Sequence, residues 1–235
     1  MTINDKQLAA LIAANPVREL ADAATGEGNG RYMVFCRLHF PALAKPQAFK
    51  DNPVSKYSGC FLVDPRTDIK KLSDAAKVAA VAKFGAEKAR TLASTKNENG
   101  APLLRMPFRS QAVKKAAGED GFGDDGYFFN AAEGVTWPDG QPKNPPALFN
   151  AARIRLPQDT NEIYAGCYGL VKVSFFGYSA KGNTGVSVSL GGFQKLADGQ
   201  RLRTTKIDDA DGFAAVAGAD AFNSSAPSQD AAGVW

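Results

Sequence analysis

Hydrophobic and polar positions alternate with period two along much of this chain. The clearest example is residues 164–202, YAGCYGLVKVSFFGYSAKGNTGVSVSLGGFQKLADGQRL. Two runs rich in β-branched and aromatic residues flank the turn formers Ala180, Lys181, Gly182, Asn183, Thr184 and Gly185. That pattern predicts an antiparallel β-hairpin with a short polar connection. In its first strand Val171, Val173 and Phe175 share one face, and Tyr168, Lys172, Phe176 and Tyr178 share the other. In the second, Val186, Val188 and Leu190 face the core, while Gly185, Ser187, Ser189 and Gly191 leave the opposite side small and open. Three rings and a cation beside free space suit a flat ligand with an anionic backbone, namely single-stranded nucleic acid. The plainer alternative puts these rings under a loop or a second sheet, since aromatic side chains are often buried.

The same period marks residues 32–40 (YMVFCRLHF) as a strand, with Tyr32, Val34, Cys36, Leu38 and Phe40 on one face and Met33, Phe35, Arg37 and His39 on the other. Residues 56–63 (KYSGCFLV) predict a second strand that Asp64-Pro65 ends. Helical spacing appears twice. Residues 5–14 carry Leu8, Leu11 and Ile12, with Asn4 or Asp5 as cap and Pro16 beyond. Residues from Thr67 or Asp68 to about Phe84 place Ile69, Leu72, Ala76, Ala79 and Ala80 on an inner side, with Gly85 as terminator and Lys70, Lys71 and Lys77 on a solvated face. Residues 25–30 (TGEGNG) read as a flexible connection without the spacing of a dinucleotide fingerprint. Residues 119–125 (EDGFGDD) read as an acidic turn or mobile loop, because no closing Glu completes a calcium-loop pattern. Residues 137–149 contain Pro138, Pro142, Pro145 and Pro146 and form a long irregular loop, around which Lys143, Arg153 and Arg155 could meet a DNA backbone.

Composition adds less than the distribution of charge. The 235 residues are 44% hydrophobic, enough for a core, and carry a formal net charge of only +4. Yet no Lys or Arg follows Lys206, whereas Asp208, Asp209, Asp211, Asp220 and Asp230 do. Residues 1–207 therefore hold 28 basic and 19 acidic side chains, a net +9. A basic body with an acidic tail is the asymmetry of a nucleic-acid binder with an interaction segment. Residues 208–235 hold few large apolar groups, cannot bury enough to fold alone, and end on Trp235. Cys36, Cys60 and Cys167 are odd in number and widely spaced, which favours buried thiols in a reducing setting. His39 is the single histidine, too few partners for a structural zinc site, and no cofactor or metal is expected. No signal peptide or run of about 18 apolar residues appears, so no membrane is expected.

The segment EIYAGCYGLVKVSFFGYSAKGNTGVSVSLGGFQKLADGQRL resembles the C-terminal half of a family of phage-encoded single-stranded DNA-binding proteins. The KYS of residues 56–58, the PFR of residues 107–109 with Lys114-Lys115 after it, and the GYFF of residues 126–129 match further pieces of that family in the same order, so the similarity spans about residues 32–202. The resemblance implies an OB fold and an acidic C-terminal tail that docks replication proteins and competes with DNA for the basic groove.

Together these readings predict a mainly β protein with inserted helices (α+β), an OB-like five-stranded antiparallel barrel with extra helices and long loops. Its expected divisions are an N-terminal extension with a short helix over residues 1–30, a DNA-binding domain over 31–207 and a disordered acidic tail over 208–235. Tyr168, Lys172, Phe176 and Tyr178 are the first candidates for single-stranded DNA, followed by Lys56, Tyr57, Arg105, Arg109 and Arg153. Arg105 and Arg109 bracket Phe108, so guanidinium groups flank a ring. Asp208, Asp209, Asp211, Asp220, Asp230 and Trp235 are the candidates for binding phage or host replication and recombination proteins, and a homodimer is left open. The expected setting is the host cytoplasm. An enzyme of DNA metabolism would need a carboxylate cluster or activated nucleophile that the acidic residues, concentrated in turns and tail, do not supply. A phage capsid or tail protein fits the β-rich pattern but not the basic body.

Overall fold

The computed structural model describes residues 2–49, 52–180 and 182–202, all within the unit Met1–Thr204. In chain order the elements are α1 (Asp5–Ala14), β1 (Arg18–Ala21), β2 (Gly28–Phe49), β3 (Asn52–Val63), α2 (Lys70–Phe84), α3 (Ala86–Ser94), β4 (Leu104–Arg105), β5 (Arg109–Ser110), α4 (Gln111–Ala116), β6 (Tyr127–Gly134), β7 (Ala147–Phe149), β8 (Tyr168–Ala180) and β9 (Asn183–Ala197). The fold is mainly β with a few helices. Its sheet has nine strands among the described residues, larger than a five-stranded barrel, in the order β4-β9-β8-β2-β3-β6-β5, with β1 on β2 and β7 on β9. One parallel pair, Ala132 with Ser189, also joins β6 to β9, so the path β2-β3-β6-β9-β8 returns to its start.

The expected hairpin is present: β8 and β9 pair from Tyr168 opposite Ala197 to Ala180 opposite Asn183. Its inner positions are the predicted ones. Val171, Val173, Val186, Val188 and Leu190 are buried, and Phe175 packs against them. From β2, Val34, Cys36 and Leu38 enter the same core, and Phe61 and Phe129 meet there with ring centroids 5.4 Å apart. Phe193 completes the group at 6.3 Å from Phe61. Aromatic rings at these separations add to the burial of their own large apolar areas.

Helix α2 follows the predicted stripe, with Leu72, Ala76 and Ala80 buried. It starts at Lys70 after Ile69, whose side chain cannot cap it; of the two expected caps Asp68 serves, its Oδ1 accepting from the Lys70 N–H at 2.8 Å. Small residues decide how it docks. A Cβ at Gly177 would sit 2.3 Å from Lys83 Cβ and 3.1 Å from the Ala79 carbonyl, so glycine lets the helix lie directly on β8. Helix α1 is capped as expected, with Asn4 and Gln7 satisfying each other's backbone N–H groups. None of the described helices is long and apolar enough to cross a membrane.

One face assignment is corrected. Phe40 was expected in the core with Leu38, yet it is 44% exposed, with φ of 46°. The β2–β3 register shifts between His39 and Ala42, which interrupts the alternation and turns Phe40 onto the His39 ring at 3.9 Å. Conversely Phe35 and His39, on the outward side of β2, are buried. His39 Nε2 donates to the Asp120 carbonyl at 3.1 Å, Phe122 packs edge-on to its ring, and Nδ1 is buried without a hydrogen-bond partner. Residues 119–125 thus form a turn laid over the sheet, held also by Gln111, whose side chain bridges the Val63 and Tyr127 carbonyls and the Gly123 N–H.

Two outcomes follow. Phe61→Ala should cost about 3–5 kcal/mol, read as a lower urea midpoint. Burial holds His39 below its ordinary pKa, with Arg37 acting in the same sense and the Asp120 carbonyl, Glu119 and Asp120 opposing. The unfolded chain then takes up a proton that the folded one refuses, so stability present above about pH 6.5 falls as pH drops through that value. Urea midpoints at about pH 7.5 and about pH 5.5 should differ less for His39→Asn than for the unaltered protein.

Candidate nucleic-acid interface

Because the inner side of β8 is fixed by the core and by α2, its even-numbered residues must point outward. Tyr168, Lys172, Phe176 and Tyr178 have the parity expected from the alternation; Lys172, Phe176 and Tyr178, with Ser174 among them, form an outer ridge, and Leu170 on the same side is buried. Phe176 is 50% exposed, opposite Ser187, so its ring is open to a stacking partner. Tyr178 lies opposite Gly185, and β4 brings Arg105 alongside Gly185 from the other edge. A Cβ at Gly185 would be 3.0 Å from both Tyr178 Oη and Arg105 Cβ, so Arg105 and Tyr178 flank one glycine gap.

Tyr168 differs from the other two rings. It stacks on Phe35 at 6.1 Å with an interplanar angle of 8°, and the Arg37 guanidinium sits 5.6 Å from its centroid. Arg37 also donates to the Gln200 carbonyl at 2.8 Å, and Leu202 N–H donates to the Ala165 carbonyl at 2.9 Å. Tyr164 Oη donates to Asp198 at 2.7 Å; burial and that carboxylate push its pKa up to about 12. Tyr168 therefore belongs to a packed corner where residues 198–202 cross the sheet, not to the open ridge.

Pairing across the sheet adds residues that the alternation of one strand could not supply. Directly opposed residues share a face. Arg18 of β1 lies opposite Met33, Met33 opposite Lys172, and Arg31 opposite Ser174. Lys172 also borders a cavity with Arg153. Arg18, Arg31, Arg105, Arg153 and Lys172 make no ion pair with any described carboxylate, whereas Arg66, Lys70, Lys77, Lys114, Lys115, Lys143 and Lys195 do. The ridge thus carries positive charge that the described part of the protein leaves unneutralised. Met33 shares a face with Phe35, Arg37 and His39 in the alternation and Arg31 lies just before the predicted strand; only the β2–β8 register, which a single sequence does not state, joins them to Lys172.

The remaining candidates lie elsewhere. Lys56 is exposed on β3 opposite Gln47 and Gly134, two strands from β8. Tyr57 is half-buried against the main core. Arg109 lies over the Phe128 ring at 4.5 Å, on the outer cluster of Cys60, Leu62, Phe122 and Phe128. Asp208, Asp209, Asp211, Asp220, Asp230 and Trp235 lie outside the described residues.

A family model described as the Enterobacter phage Enc34 ssDNA-binding protein matches residues 33–223. The chain belongs to this family. Solved structures agree on the fold of the Enc34 family. The single-stranded DNA-binding protein from bacteriophage Enc34 in complex with ssDNA aligns with a TM-score of 0.53 at 19% identity, covering 73% of this chain and 89% of that one. The gp2.5 single-stranded DNA-binding protein encoded by bacteriophage T7 aligns with a TM-score of 0.51 at 17% identity, covering 72% and 93%. No curated protein sequence matches the chain.

If the ridge is surface and not core, Phe176→Ala should change the free energy of unfolding by no more than about 0.5 kcal/mol. Urea denaturation followed by tryptophan fluorescence measures this.

Proposed function

We propose that the chain binds single-stranded DNA without reading its sequence, using an OB-type barrel made by the circuit β2-β3-β6-β9-β8, and that it does no chemistry on the strand. The observation that carries this is the outer ridge of β8. It sets an open ring, Phe176, and the half-buried Tyr178 among cations with no described counter-charge, at Arg31, Lys172 and Arg105. The cations meet phosphates and the rings meet base faces, which all four bases share. Membership of the Enc34 family supports the ligand class.

The biological setting we infer is protection of single strands during phage DNA replication, recombination or repair in the host cytoplasm. The acidic residues 208–235 would compete for the same cationic ridge and recruit replication or recombination proteins, with Trp235 as an apolar anchor. Lys56, Tyr57 and Arg109 would then serve a strand that continues past β8 around the barrel.

Fluorescence-anisotropy titration of labelled oligothymidine at two salt concentrations tests the reading. Binding should weaken with salt, and Lys172→Gln should lower the log–log salt slope by about 0.7, the loss of one phosphate contact on a single strand. Phe176→Ala should weaken binding by about 1–3 kcal/mol. A chain ending at Lys206 should bind more tightly than the full chain. Absence of binding by either at low salt refutes the proposal.

A further inference from the structure

Beside the ridge, between β7, β8 and β2, lies a cavity of about 250 Å³ whose character differs from an open stacking surface. Met33, Leu170 and Phe149 make its apolar walls, Arg153 and Lys172 stand at its rim, and no carboxylate lines it.

Two glycines create the space. Lys172 pairs with Gly192 and Val173 with Leu190, so Gly191 is the extra residue of a β-bulge. A Cβ there would lie 2.8 Å from Lys172 Cε, so the lysine stem runs along the gap that the missing side chain leaves. At Gly192 a Cβ would lie 2.7 Å from the Ala147 carbonyl oxygen, so glycine admits β7 against β9 and brings Phe149 to the cavity wall.

The turn after β7 then aims a cation at the opening. Asn150 and Ile154 bond each other twice, backbone to backbone at 3.0 Å and Ile154 N–H to Asn150 Oδ1 at 2.9 Å. Gln194 Nε2 adds a bond to the Asn150 carbonyl at 3.2 Å. Within this clamp Arg153 adopts φ of 61°, a left-handed conformation that few residues other than glycine take. Such conformations persist where the surroundings over-determine them, and they cluster at ligand clamps.

We propose that this cavity receives one unstacked base of the bound strand, while Arg153 and Lys172 hold the phosphates on either side of it. The inference rests on the single-stranded DNA reading and adds a distinct subsite to it. An apolar slot with cations only at its mouth matches a flat heteroaromatic ring attached to an anionic backbone. Gln194, the neutral polar side chain in the lining, already spends its Nε2 donor on the Asn150 and Ala151 carbonyls. The slot therefore offers shape and apolar contact more than an edge-reading pattern, which keeps it tolerant of base identity.

The test compares two labelled strands of equal length, oligothymidine and an abasic deoxyribose-phosphate strand, by anisotropy with the full-length protein. Met33→Ala should weaken oligothymidine binding roughly fivefold while changing abasic-strand binding by less than about twofold. A Lys172→Gln, Gly191→Val double variant, compared with Lys172→Gln alone, should lose a further roughly fivefold on oligothymidine only, because the valine fills the slot. Equal losses on both strands, or no loss on oligothymidine in either comparison, overturn the base subsite and leave the ridge intact. Failure of the unaltered protein to bind either strand overturns the single-stranded DNA reading, and the subsite with it.

Discussion

Burial of one side of β8 is the constraint on which the candidate site depends. Val171 and Val173 are locked into the core, and Gly177 lets α2 press on the same side of the strand. A shift of one residue would send the valines to solvent and bring Lys172 inside, at a cost the core does not tolerate. The outward position of Lys172, Phe176 and Tyr178 is thus a consequence of hydrophobic packing. The cationic ridge and the core are two faces of one register.

Electrostatics divides the cations into two populations. Lys70 and Lys77 of α2 are matched by Asp74, and Lys114 and Lys115 of α4 by carboxylates of the residue 119–125 turn, in pairs that contribute little to stability. Those beside β8 have no described counter-charge, and Coulomb repulsion among them is tolerated because water screens exposed charges. A polyanion lying on the ridge would remove that repulsion and release counterions, so affinity and salt sensitivity share one origin.

Much of this was legible in the sequence where a short-range rule applied. Period-two alternation placed Val171, Val173, Phe175, Val186, Val188 and Leu190 of the β8–β9 hairpin, though not Phe193 beyond the bulge, and Asn4 as a helix cap and the alanine stripe of α2 could be read directly. Features depending on long-range register could not. The β1 strand lies in a stretch without clear alternation, and β4, β5 and β7 are two or three residues long, too short for any periodic signal. Phe40 was misplaced because a bulge breaks the period it was read from. Tyr168 has the right parity yet stacks on Phe35, a partner more than a hundred residues away. Arg18 and Arg31 joined Lys172 only through pairings that no local pattern encodes.

The join between β6 and β9 bears on how the circuit could deform. Elsewhere neighbouring strands of the circuit share many rungs, but β6 and β9 meet through the single pair Ala132 and Ser189. What reinforces it is a side-chain latch: Ser189 Oγ donates to Glu133 at 2.7 Å, and Lys143 holds the same carboxylate. The ring is a bracelet with one clasp, continuous on the side that carries the ridge and fastened by a half-buried carboxylate on the other. Closure of the circuit therefore rests on Glu133, whereas β8 is held on both sides by long ladders of its own.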